Sequence, residues 1–206
     1  MRKLVVATRN RNKLAEIRAL LADLPVRVMG LDAFPGAPEV EETGATFADN
    51  ARLKALAAAR HTGEWAMADD SGLEVDALDG RPGVFSARFG GPGATDADNN
   101  RLLLALLKDV PPEERRARFR CAIAIASPSG ETWVDEGVCE GLIADRPRGD
   151  GGFGYDPLFI VPELGRTFAE LDPEEKNRRS HRARALALAR ARLVRLWQLP
   201  AGESVL

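Results

Sequence analysis

The sequence predicts an α/β fold built on a mixed sheet with flanking helices, and three observations lead there. Strand, helix and strand patterns alternate from the first residues, the opening of an α/β domain. Two long extended segments in the second half are joined by a tight turn, which adds a hairpin to the crossover units. No repeat and no low-complexity linker interrupts the 206 residues, a length that fits one domain or two lobes sharing one core.

Taken in order, residues 3–7 form a short apolar run that reads as a buried strand. Residues 12–24 follow as a helix with Leu14, Ile17, Leu21 and Leu24 on one face and Pro25 beyond its end. Val26–Gly30 is the next strand. Residues 31–45, with Pro35, Pro38 and two glycines, are loop and end in Glu39, Glu41 and Glu42. Thr46-Phe47-Ala48-Asp49 has the form of a capping box and opens an Ala-rich helix to about His61. Residues 65–68 deliver the chain to Asp69-Asp70-Ser71-Gly72 at a strand end, and residues 73–78 continue as strand before the Gly80-Arg81-Pro82-Gly83 turn. Thr95-Asp96 caps a helix to about Lys108. Residues 118–126 and Thr132–Ile143 pair through Ser127-Pro128-Ser129-Gly130. A Gly-rich loop at 148–156 precedes a short strand at 158–161. Asp172-Pro173-Glu174-Glu175 begins a helix, and Ser180 caps a last one carrying Leu186, Ala189, Leu193 and Leu196 at helical spacing. Residues after Pro200 read as a frayed tail.

Composition narrows the function. With 45% hydrophobic and 29% charged residues, the chain has ordinary soluble character. No apolar run approaches the roughly 20 residues of a membrane span, and the N-terminus runs straight into a strand, so a cytoplasmic protein is expected. A net charge of −2 argues against a polymeric nucleic-acid partner. Cys121 and Cys139 lack metal-ligand spacing and read as buried core thiols. Only five of the 29 basic residues are Lys, at positions 3, 13, 54, 108 and 176. A Lys kept where Arg is the rule marks a site wanting a compact point charge.

Four constellations carry chemistry. Thr8-Arg9-Asn10-Arg11-Asn12-Lys13 lies between a strand and a helix start, where free N–H groups and a Lys make an anion site suited to a triphosphate. It lacks the glycines of a P-loop. Glu41, Glu42 and Asp69-Asp70 bring hard oxygens from two segments, the ligands magnesium takes alongside phosphate and water. Gly149-Asp150-Gly151-Gly152-Phe153-Gly154-Tyr155-Asp156 combines close backbone approach, flat aromatic faces and an acceptor for a base edge. Glu175-Lys176-Asn177 with Ser180-His181-Arg182 offers a phosphate-neutralising Lys and donors at a helix start, where His181 is held as neutral imidazole. Each also has a plain structural reading as polar turn, solvated charge run, flexible loop or charged helix entry.

Their order is more telling than any one of them. Thr8-x-Asn10-x-x-Lys13, Glu41-Glu42-Thr43-Gly44-x-Thr46-Phe47-x-x-Asn50-Ala51-x-x-Lys54-Ala55, Asp69-Asp70-Ser71-Gly72-Leu73, Pro82-Gly83 to Arg88, Gly151-Gly152-Phe153-Gly154-Tyr155-Asp156-Pro157 and Ser180-His181-Arg182 resemble the inosine triphosphate pyrophosphatase family over nearly the whole chain. The resemblance implies an elongated fold of two lobes around a central cleft, a homodimer, magnesium, and small-molecule purine nucleoside triphosphates as substrates. It implies a phosphate-binding turn from Thr8 to Lys13, Glu41 and Asp70 as metal ligands, and Asp70 as the base that activates water. Ser71, Phe153, Gly154, Tyr155, Asp156, Lys176, His181 and Arg182 become substrate contacts, with Lys54 and Asp69 assisting. One departure is visible: many members have Gly where Arg9 stands.

The expected reaction is hydrolysis of inosine, deoxyinosine or xanthosine triphosphate to monophosphate and pyrophosphate. Arg182 and a neutral His181 have donors that suit the 6-oxygen of those bases and oppose adenine's amino group. Competing readings are a Maf-type pyrophosphatase for pyrimidine or modified nucleotides, and a non-catalytic nucleotide sensor.

Overall fold

The computed structural model describes residues 1–200, the Asn12 side chain excepted; the tail expected after Pro200 lies outside the described residues. Seven strands form one sheet in the order β2-β1-β3-β4-β5-β6-β7. They are β1 (Arg2–Val6), β2 (Val26–Gly30), β3 (Trp65–Val75), β4 (Arg116–Ala126), β5 (Thr132–Ile143), β6 (Phe159–Val161) and β7 (Arg166–Thr167). The helices are α1 (Arg11–Leu20), α2 (Phe47–Thr62), α3 (Asp96–Leu106), α4 (Pro173–Arg179) and α5 (His181–Trp197). β1 runs parallel to both β2 and β3, which the intervening helices require. β6 is antiparallel to β5 and to β7. The sheet is therefore mixed, as the sequence predicts.

The chain divides into two compact units. One comprises Met1–Asp70, Cys121–Gly137 and the segment from Arg182 onward; the other comprises Ser71–Arg120 and Val138–His181. The first has its own core of Leu4, Val6, Ile17, Leu21, Ile123, Ile125, Leu193 and Trp197. The apolar faces expected of α1 and α5 are the ones buried there. In the second, Leu73, Leu103, Phe119, Phe159 and Phe168 close a separate core. Phe119 stacks on Phe168 and tilts against Phe159 at ring separations of 5.8 and 4.5 Å.

Helix starts follow the sequence cues. The Thr46 hydroxyl accepts from Asp49 N at 3.1 Å at the head of α2. Thr95 and Asp98 form a complete capping box on α3, and Asp172 caps α4 with Pro173 in its first turn. Ser180 closes α4, and α5 begins at the next residue.

Some expectations need correction, among them the first helix, expected to reach residue 24, which ends at Leu20. Asp69-Asp70-Ser71-Gly72 is not a strand end: β3 runs through it without a break for 11 residues. Polar side chains do not stop a strand whose backbone ladder continues when those side chains find partners, and both aspartates do. Residues 76–78, expected as strand, form a 3-10 turn, as do Gly83–Arg88. β4 begins two residues earlier than expected, and the two-residue β7 had no sequence signal. Cys121 and Cys139 are buried and not joined in a disulfide, as core thiols should be. No helix among the described residues is long and apolar enough to cross a membrane.

Candidate functional site

Asp69 and Asp70 are consecutive on β3, so their side chains leave opposite faces of the strand and meet different partners. Asp69 is 5% exposed. Its Oδ2 accepts from Lys13 Nζ at 2.7 Å, and Arg182 Nε stands 3.8 Å away. Burial pushes its carboxyl up, but the charges of Lys13 and Arg182 outweigh this and hold it below the ordinary aspartate value. Asp70 Oδ1 accepts from Lys54 Nζ at 3.1 Å and Oδ2 from Asn50 Nδ2 at 3.2 Å. Here burial wins: with the added repulsion of Glu42, it raises Asp70 above the ordinary value despite Lys54 and Asn50.

α2 organises this side of the strand. Asn50 and Lys54 are four residues apart and share one helix face. Lys54 Nζ donates to Glu42 Oε1 at 2.7 Å as well as to Asp70. Burial lowers the Lys54 pKa, yet Asp70 and Glu42 together carry it above the usual lysine value. Asn50 is fully buried; its Oδ1 accepts the Gly44 N–H at 2.7 Å, tying the acidic loop to the helix that faces Asp70. A Cβ on Gly44 would sit 2.6 Å from Asp49 Cβ and 2.9 Å from Asn50 N, so the motif needs glycine there. The glutamate that joins this cluster is Glu42. Glu41, which the resemblance singles out, is exposed.

The turn from Thr8 to Lys13 is held by its own side chains. Asn10 N donates to Thr8 Oγ1 at 3.1 Å and Lys13 N to Asn10 Oδ1 at 3.3 Å, an Asn cap on α1. Two N–H groups expected to be free are thus occupied. A cavity of about 270 Å³ is lined by Thr8, Arg9, Lys13, Glu39, Glu42, Lys54 and Asp69. Arg9 and Arg11 are exposed, and Arg9 Nη2 reaches Ala37 O at 3.5 Å.

The Gly-rich loop and α4 lie in the second unit. Asp156, expected to accept from a base, is 3% exposed and turned inward: its Oδ2 accepts from Phe153 N at 2.8 Å and from Lys176 Nζ. Gly152, at φ 73°, leaves no room for a Cβ, which would lie 2.1 Å from that Oδ2. Tyr155 is buried and donates from its hydroxyl to Ser86 O at 2.7 Å, so its ring is not an open stacking face. Phe153 is 52% exposed, and Lys176 Nζ sits 4.7 Å from its ring centroid, in cation–π range. The Gly154 peptide is gripped by α3: its N–H donates to Asp96 Oδ2 at 2.7 Å and its carbonyl accepts from Asn100 Nδ2 at 2.9 Å. His181 is buried with its ring stacked on Phe119 at 4.8 Å. The next residue, Arg182, is 7% exposed and directs Nη1 to Glu16 at 3.4 Å besides approaching Asp69. Ser71 is half-buried, one residue past Asp70.

The structure thus brings together Lys13, Lys54, Asp69, Asp70 and Arg182, and joins Lys176 to Asp156 of the Gly-rich loop, residues that the sequence placed in separate constellations. Sequence reasoning did not give Asn50, Asp96 and Asn100 these roles. Asn50 left a trace, an amide four residues before Lys54 on an otherwise alanine-lined face. Asp96 and Asn100 read only as a helix start.

The Ham1 family model matches residues 4–192. A dITP/XTP pyrophosphatase of Desulforamulus reducens is 58% identical over 195 residues, covering 95% of this chain and 97% of the relative. One of Geobacter sulfurreducens is 58% identical over 198 residues, with 96% and 98% covered. Among solved structures, a HAM1 protein from Coxiella burnetii superposes with a TM-score of 0.90 at 46% identity, covering 95% of this chain and all of the other. With that extent of agreement in sequence and fold, the chain belongs to the Ham1 family.

Proposed function

We propose that this protein is a nucleoside triphosphate pyrophosphatase that converts dITP, XTP and ITP to the monophosphate and pyrophosphate, clearing them from the cytoplasmic nucleotide pool. The observation that carries the reading is the Asp69–Asp70 pair with its lysines, in a chain 58% identical to proteins named dITP/XTP pyrophosphatase. Lys13 and Lys54 are point charges already poised beside carboxylates, ready to turn to phosphate oxygens and neutralise the leaving pyrophosphate. Asp70, held by Lys54 and Asn50, is the carboxylate that takes the proton of the attacking water.

Magnesium belongs to this reading, with Asp70 and a loop glutamate as its protein ligands. Among the described residues no cluster of three metal-binding side chains exists, but a magnesium–triphosphate needs only one or two carboxylates, with phosphate and water completing the shell. The mutual repulsion of Glu42 and Asp70 across Lys54 is what such a cation relieves, so the donor set fits. Bound there, the ion supplies charge neutralisation on phosphate oxygens. Glu42→Gln should weaken magnesium activation more than Glu41→Gln; the reverse result returns the ligand role to Glu41.

At the base end, Phe153 is the exposed ring for stacking and Lys176 the adjoining cation, while His181 and Arg182 supply donors for a 6-oxo base. Arg182 must then share its guanidinium between Asp69 and the substrate. Arg182→Ala and His181→Ala should each reduce the preference for inosine over adenosine triphosphate; undiminished preference in both removes them from base reading. The homodimer is part of the same proposal, and sedimentation at equilibrium tests it. Asp70→Asn should abolish nearly all turnover, and EDTA should do the same to the unaltered protein. Activity retained in either case contradicts the mechanism.

A further inference from the structure

The cations of the phosphate turn do not all serve one cavity. Lys13 lines the acidic cavity described above and is absent from the walls of its neighbour. That neighbour has a volume of about 460 Å³ and is walled by Thr8, Arg9, Asn10, Arg11, Leu14 and the 31–37 segment. Arg9 lines both, and Arg11 only the larger one. Charge is distributed unevenly between the two. In the acidic cavity both lysines are neutralised, Lys13 by Asp69 and Lys54 by Glu42 and Asp70. In the larger cavity, among the described residues, neither Arg9 nor Arg11 has a carboxylate within ion-pair distance, although Asp32 contributes to the wall. The uncompensated positive charge of this region thus resides in the larger cavity, on two guanidinium forks whose geometry suits phosphate oxygens.

We propose that this cavity is a second anion site that receives a diphosphate group, the pyrophosphate leaving the acidic cavity. The proposal rests on the pyrophosphatase reading for the source of its ligand. In the acidic cavity Glu39, Glu42 and Asp69 offset the charges of Lys13 and Lys54 that face the pyrophosphate; Arg9, on the wall common to both cavities, offers the first contact on the way out and Arg11 the second. Arg9 Nη2 reaches Ala37 O at 3.5 Å, the outer limit of a hydrogen bond, which a phosphate oxygen readily replaces.

Calorimetric titration with pyrophosphate, in EDTA and with the thermal stability of each variant checked, tests this without any need for turnover. Pyrophosphate should bind the unaltered protein, about tenfold more weakly to Arg9→Gln or Arg11→Gln, and not measurably to the double variant, as expected for loss of charge-assisted contacts. Arg27→Gln, at an exposed position of β2, should bind as the unaltered protein does. Pyrophosphate should still bind when the acidic cavity is saturated with an α,β-methylene analogue of dITP. Binding indifferent to both arginines overturns the proposal. Binding abolished by the analogue also overturns it, since the arginines would then hold only the substrate's own β- and γ-phosphates. Failure to release pyrophosphate from inosine triphosphate, with arginine-dependent pyrophosphate binding intact, overturns the enzymatic reading and leaves the diphosphate site standing.

Discussion

Two adjacent carboxylates on β3 are pushed in opposite directions, Asp70 up by burial and Asp69 down by Lys13 and Arg182 against its own burial, and this has consequences for both stability and chemistry. In the absence of divalent cation, carboxyl NMR titration should find Asp69 below the ordinary aspartate range and Asp70 above it; the reverse order would contradict the assignment of their partners. The linkage signs differ accordingly. A depressed Asp69 stabilises the fold above its unfolded-state pKa, and that contribution is lost as pH falls through its folded value. A raised Asp70 favours the fold at low pH, and that contribution is lost as pH rises through its folded value. Asp69→Asn should therefore destabilise at neutral pH, by about 3 kcal/mol, because Lys13 and Arg182 lose a buried partner. Asp70→Asn should instead leave the melting temperature unchanged or raised while removing activity, the trade expected of a residue kept for function. A melting temperature lowered as much as in Asp69→Asn would show that Asp70 is a structural carboxylate.

At the scale of elements, helices present the clustered polar residues and hold the loops beside them. α2 sets Asn50 and Lys54 against Asp70 and, through Gly44, fixes the acidic loop. α3 holds both polar groups of the Gly154 peptide and so fixes the loop that exposes Phe153. Asn100→Ala should raise KM about tenfold with kcat changed by less than about threefold, since a mispositioned platform weakens binding more than it alters the reacting groups. An equal loss in kcat would place Asn100 nearer the chemistry. These elements also mark what a sequence can and cannot tell. Helix starts at Thr46, Thr95 and Asp172 were legible because capping is local, and the strands of the first unit because apolar runs are. The unbroken course of β3 was not, because its polar run becomes compatible with a buried strand only once Lys13, Lys54 and Asn50 arrive from distant segments. The same holds for the inward turn of Asp156 and Tyr155: residue type was visible, direction was not.

Over the whole molecule, stability rests on two separate cores. Trp65, Trp133 and Trp197 form one aromatic cluster in the first unit, with Trp65 stacked on Trp133 at 5.6 Å and meeting Trp197 edge-on at 5.4 Å. Tryptophan fluorescence therefore reports on the first unit. Leu193→Ala should cost about 2–5 kcal/mol there, and Phe159→Ala about 3–5 kcal/mol in the second core. The function proposed for the whole chain is bond cleavage between the α- and β-phosphates of a 6-oxo purine nucleotide. The most direct test is to incubate the purified protein and magnesium with inosine, xanthosine and adenosine triphosphates and identify the products by ion-exchange chromatography. Monophosphate and pyrophosphate in equal amounts, formed far faster from inosine and xanthosine triphosphates than from adenosine triphosphate, are the expected result. Nucleoside diphosphate with inorganic phosphate, or no preference for the 6-oxo bases, would contradict the account.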